Sequence, residues 1–210
     1  PADRKGAHMS RFIEQLNLGL SVGSNNLQGV VAAMLDRLEA ESGIIDLSFP
    51  IFLEKHAPVT RAAAVLDYDI RLVARLDGAA FEIETSVIVP VTSLCPCSKA
   101  IAREGAHNQR SHVTVTLRTN RLPDLVKVIK LVEAEASCEI FPLLKRADEK
   151  LITERAYENP KFVEDMVRDV AARLKNDLMC RNFTVECENF ESIHNHSAYA
   201  MIEHNPSSPD

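Results

Sequence analysis

Glycine is scarce, tyrosine scarcer, and no apolar run approaches the roughly 20 residues that a membrane span needs. The 210 residues contain seven glycines and three tyrosines. That is too little for a fold built on glycine-rich nucleotide loops or for a surface that stacks single-stranded bases. Basic charge is also in deficit, with 24 Lys and Arg against 30 Asp and Glu. A net charge of −6 argues against nucleic acid as the main partner. Five cysteines are an odd number, without the density of a disulfide scaffold. No charged-then-apolar leader opens the chain. These absences predict a reduced, soluble, cytoplasmic protein.

What is present is an ordinary globular composition, 46% hydrophobic and 26% charged. Met9, Phe12, Ile13 and Leu16 recur at helical spacing. Leu27, Val30, Val31, Met34, Leu35 and Leu38 give a second helix over about 26–41, stopped by Gly43. Alternation then marks strands at Ile45–Ile51, Ile70–Leu76 and Phe81–Val89, with an Asp77-Gly78 hairpin turn and a stop at Pro90. His112–Leu117 alternates again, and a helix follows over about 124–138. Asn159-Pro160 reads as a capping residue and first-turn proline for a helix carrying Phe162, Val163, Met166, Val167, Val170 and Leu174. Strands at Phe183–Cys187 and near Ala198–Ile202 close the chain.

The order is ααββ and then ββααββ. It suggests two copies of one plan, an N-terminal unit over 1–77 and a C-terminal unit over 78–210. The first copy lacks a leading pair of strands, and the expectation is that residues upstream of Pro1 are missing. Gly6-Ala7-His8-Met9-Ser10 by itself looks like a purification-tag remnant.

Four polar clusters could carry chemistry: Ser93–Lys99 with Cys95-Pro96-Cys97, Gly105–Arg110, Leu144–Lys150, and Glu191–His196. Cysteine, histidine and carboxylate bind borderline transition metals, and three or four around an open position make a catalytic site. No CxxC pair is present, which disfavours a closed structural zinc site. Spacing leaves it open whether Cys95 or Cys97 would be the ligand. Cys138, Cys180 and Cys187 lie in apolar patterns and read as core thiols. His112 reads as structural, His56 and His204 as surface residues, and a glutamate among charges such as Glu149 as solvated. His194 and His196, two apart on an extended chain, should point to opposite sides. Glu164 sits in a helical first turn, where the dipole favours a carboxylate. The same carboxylate could accept two hydrogen bonds from a guanine edge.

Pro90–Lys99, Gly105–Ser111, Leu143–Arg146 with Asp148-Glu149-Lys150, Glu158–Asp165 and 189–200 together resemble type IB GTP cyclohydrolase. The likeness runs from Lys5 to about Ile202 and includes Lys5-Gly6 with His8–Phe12, so that stretch is read as native. The resemblance implies an α+β tunnelling fold of two tandem ββααββ units with antiparallel sheets, the first here incomplete. It implies a homotetramer with active sites between subunits. The implied reaction converts GTP and water to 7,8-dihydroneopterin triphosphate and formate, towards tetrahydrofolate. The metal ligands would be Cys95, His107, Glu149 and His194, holding one divalent zinc, manganese or iron ion per site. Glu164 would anchor the guanine. Protons would pass through His196 and Cys97. The triphosphate would meet Lys5, His8, Arg11, Lys99, Arg110, Lys145 and Arg146.

Overall fold

A computed structural model describes residues 9–17, 27–178 and 180–206. Lys5 and His8 lie outside the described residues. The elements are α1 (Met9–Asn17), α2 (Leu27–Leu38), β1 (Ser42–His56), β2 (Ala63–Asp77), β3 (Ala80–Leu94), α3 (Pro96–Ile101), β4 (Asn108–Thr119), α4 (Leu125–Glu135), β5 (Cys138–Glu139), α5 (Arg146–Glu158), α6 (Val163–Asn176), β6 (Phe183–Asn189) and β7 (Ala198–His204). The sheet order is β1-β2-β3-β4-β6-β7, with β5 paired to β3. No helix among the described residues is long and apolar enough to cross a membrane.

The chain divides into two compact units. One comprises residues 1–48, 71–85 and 118–123. Its core is the apolar face of α2 (Leu27, Val31, Met34, Leu35) with Ile45, Leu72, Ala74, Leu76 and Ile83, all buried. Gly43 lies in a close approach: a Cβ there would stand 2.6 Å from Leu35 Cδ2. Leu35 is buried, so the end of its side chain would have to shift within the core to admit a Cβ. Gly43→Ala is therefore expected to destabilise by about 1 kcal/mol, the low end of an overpacking cost. A urea titration measures this, and an unchanged midpoint contradicts it.

The other unit comprises 49–70, 86–117 and 124–210. Alternate residues of β3, β4 and β6 (Val87, Val89, Val91; Val113, Val115, Leu117; Phe183, Val185, Cys187) form its buried sheet face. The stripes of α4 (Val128, Ile129, Val132) and α6 (Val163, Met166, Val167, Val170, Leu174) cover that face. β4 and β6 are antiparallel with Val113 opposite Cys187 and Val115 opposite Val185, and β6 pairs antiparallel with β7.

Three expectations change. β3 continues through Pro90 to Leu94, and β5 pairs beside it at Val91 and Thr92. One missing N–H removes a single ladder bond, while the buried row Val87, Val89, Val91 runs on past the proline. Asn159 does not open α6. It closes α5, its N–H donating to Arg155 O at 3.1 Å, and its amide donates to Ala136 O at 2.8 Å. α6 begins at Val163 instead. α5 itself had no counterpart in the apolar periodicity. Its buried residues are Asp148 and Ala156, so it carries no stripe to read.

Candidate active site

β3 delivers Cys95, which caps α3, with Pro96 in the first turn. Ser98 clasps this turn to the next cluster. Its N–H points at Cys95 Sγ at 3.5 Å, and its hydroxyl donates to Cys95 O at 3.1 Å. The same hydroxyl accepts the His107 N–H at 3.1 Å, and Cys95 N–H donates to His107 O at 3.0 Å. Gly105, with φ +76°, supplies the left-handed bend that brings the chain back from α3 to His107. Cys95 is half-buried and Cys97 exposed.

His107 Nδ1 donates to Gln109 Oε1 at 3.0 Å and lies 3.9 Å from Glu191 Oε2. The His107 and Glu191 side chains are 11% and 12% exposed, so this is a largely enclosed contact. A ligating histidine commonly gives its second ring N–H to such an oxygen, which fixes the tautomer. In the neutral imidazole that this bond fits, Nε2 would carry the lone pair and be the nitrogen open to a metal. Gln109 and Glu191 belong to the polar clusters, yet nothing in their spacing assigned them this role.

The ring of His194 meets that of His107 edge-on, centroids 6.2 Å apart. His194 and His196 stack at 5.2 Å and 20°, which corrects the expectation that they face opposite sides. Residues 192–196 form bends and not a strand, so the two-residue period does not apply. Cys95, His107, His194 and His196 are thus gathered by one set of loops. Glu149 stands exposed in the first turn of α5. Among the described residues, no three His, Cys, Asp or Glu side chains converge closely enough to hold an ion by themselves. The donor chemistry and the His107 tautomer nonetheless suit a divalent metal.

Glu164 is exposed in the first turn of α6. The preceding segment is tied beside Cys95, because Lys161 N–H donates to Leu94 O at 3.1 Å. A cavity of about 390 Å³ lies alongside, lined by Thr92, Asn108, Gln109, Arg110, Phe141 and Leu144 among others. That volume suits a small-molecule ligand. Arg110 is exposed at its wall, and Lys145 and Arg146 follow Leu144 into α5. Lys99 is engaged elsewhere: its ammonium sits 4.3 Å from the Tyr157 ring centroid and donates to Tyr157 O. Arg11, on α1, donates to Glu39 Oε1 and Arg37 O, both at 3.1 Å.

The start of α5 rests on Asp148, which is completely buried. Its Oδ1 accepts the N–H groups of Val59 (2.8 Å) and Thr60 (2.9 Å). Its Oδ2 accepts from Thr60 Oγ1 (2.6 Å) and Lys145 N (2.9 Å). Burial alone would push this carboxyl up, but the four donors hold it well below the usual carboxylate range. Burial raises the thiols of Cys138 and Cys180 and pushes Cys187 up to about 12, as expected of inert core cysteines.

The family model "Type I GTP cyclohydrolase folE2" matches residues 1–200. A GTP cyclohydrolase FolE2 of Thiobacillus denitrificans is 54% identical over 97% of this chain and 76% of its own length. That of Nitrosococcus oceani is 55% identical over the same shares, and a Dechloromonas aromatica relative is 53% identical over all of this chain and 78% of its own. Among solved structures, uricase from Arthrobacter globiformis superimposes with a TM-score of 0.50 at 11% identity, covering 96% of this chain and 77% of the uricase. That likeness concerns the fold alone, and the fold is the α+β tunnelling fold.

Proposed function

The chain belongs to the type I GTP cyclohydrolase FolE2 family, and from that premise we propose that it converts GTP and water to 7,8-dihydroneopterin triphosphate and formate, the first step towards tetrahydrofolate. We further propose one divalent ion per site, zinc, manganese or iron, held by Cys95, His107, Glu149 and His194. The observation that carries this reading is the His107 imidazole, held at Nδ1 by Gln109 beside Cys95 and His194.

The bound metal would supply Lewis-acid activation of water at neutral pH, the chemistry that hydrolytic opening of the purine imidazole ring requires. Glu164 would accept hydrogen bonds from the guanine ring N–H and exocyclic amino group, fixing the base. The stacked His194 and His196 rings form a continuous imidazole surface. His196 and the Cys97 thiol are exposed, and each would carry a proton between bulk water and the opening ring. Arg110 at the cavity wall, with Lys145 and Arg146 beyond it, would bind the triphosphate. Lys5 and His8 remain candidates for the same role. Lys99 would have to leave Tyr157, and Arg11 its partner Glu39, to join them.

A homotetramer with sites between subunits fits a chain whose four proposed ligands do not converge within one copy. A cytoplasmic location fits the substrate and the free thiols.

The test is direct. Protein stripped by a chelator is expected to release neither formate nor pterin from GTP. Adding back zinc, manganese or iron(II) should restore both, read by formate assay and by neopterin fluorescence after oxidation. Absence of both products with all three metals overturns the reading. A cyclic phosphate in place of the triphosphate would reassign the product.

A further inference from the structure

The buried rows of three neighbouring strands are apolar over Val87–Val91, Val113–Leu117 and Phe183–Cys187, and at the same end all three carry a buried polar residue. In β3, Val87, Val89 and Val91 lead to Ser93; in β6, Val185 and Cys187 lead to Asn189; in β4, Ser111 precedes Val113 and Val115. Ser93, Ser111 and Asn189 are 1%, 0% and 3% exposed. Their polar atoms meet. Ser93 Oγ and Ser111 Oγ are 2.7 Å apart, Ser111 Oγ donates to Asn189 Oδ1 at 2.7 Å, and Ser93 Oγ lies 3.4 Å from the same oxygen. Ser111 and Asn189 are also direct cross-strand partners.

Cys95 follows Ser93 by two residues, and His107 precedes Ser111 by four. Glu191 and His194 follow Asn189 by two and five. Backbone bonds continue the link outward, with Cys95 N–H to His107 O and Phe190 N–H to Arg110 O, both 3.0 Å. We propose that the Ser93–Ser111–Asn189 triad is a positioning clamp that sets the mutual placement of the three loops bearing Cys95, His107 and His194.

The physical argument is one of directionality. Buried polar groups contribute little net stability over well-packed apolar ones of similar shape, and they cost heavily when left unpaired. A fully satisfied network instead admits one arrangement of its members, whereas a valine at each position would tolerate sliding. Proposed metal ligands two to five residues from that point would inherit its precision. The inference rests on the ligand assignment above, so its test must separate the two.

The measurement is cobalt(II) titration of the full chain, read by visible absorption, beside thermal melting. Ser111→Ala and Asn189→Ala are expected to fold, bind cobalt roughly 10–100-fold more weakly, and show altered ligand-field bands. A purely structural role would lower the melting temperature and leave affinity and spectrum native, and that outcome overturns the clamp. If Asn189→Ala does not fold, Ser93→Ala supplies the same readout through the more weakly held hydroxyl. Cys95→Ala is the control. Its loss of the thiolate–cobalt band, with native spectra in the triad variants, defeats the clamp alone. A native spectrum in Cys95→Ala defeats the ligand assignment and the clamp with it.

Discussion

Cys95→Ala is expected to purify without metal and to hydrolyse GTP at least ~10³-fold more slowly, because three remaining ligands hold a borderline metal poorly without the thiolate. The fold should survive. Cys95 is half-buried at the cap of a short helix and outside the main apolar core. Its backbone N–H, which ties the loop to His107, is untouched by the substitution. Removal of the side chain therefore separates metal retention from folding. Elemental analysis of freshly purified protein, paired with the pterin assay, makes the measurement. Native metal content with full activity would overturn the ligand assignment.

Asp148→Ala is expected to show the second largest effect, on stability as well as turnover. Four donors from two separate segments lose their acceptor at once, and buried donors left unpaired carry their full desolvation penalty. A fall in Tm of roughly 10 °C is expected for a domain of this size. Turnover should fall too, because the neighbouring Glu149 is held by the first turn that Asp148 anchors. The carboxyl is depressed in the folded state, so its contribution is complete above the unfolded carboxylate range near about 4. It is lost as pH falls below that range towards the folded value. The Tm difference between the native chain and Asp148→Asn should therefore be constant from pH 8 to 5 and shrink in stronger acid. A difference that grows in acid would contradict this reading.

What was legible in the chain follows the physics of periodicity. α2, α6 and the alternating strands bury continuous apolar rows, and such rows appear in any sequence that makes them. α5 was invisible because its anchor is a carboxylate gripping Val59 and Thr60, residues far away in the chain. Asn159-Pro160 reads as a helix start and instead closes one, since its meaning depends on whether a helix precedes it. At the site, residue types alone pointed to a metal in general terms, and the individual ligands proposed come from the resemblance. Spacing failed for His194 and His196 because a bent loop has no fixed period. The roles of Gln109 and Glu191 depend on a loop folding back through Gly105, a relation with no local trace.

The contact between Asp148 and Thr60 spans 88 positions. Loop closure across such a span is entropically costly, and contacts of this kind are gained late in folding. During synthesis the β1–β2 hairpin emerges well before α5 exists to grip its tip. The proposed ligand set has the same order: Cys95 and His107 are available early, Glu149 only after α5 docks, and His194 only once β6 has left the ribosome. Metal competence on this reading comes last of all, because the four proposed ligands do not converge within one finished copy and would have to be brought together by assembly.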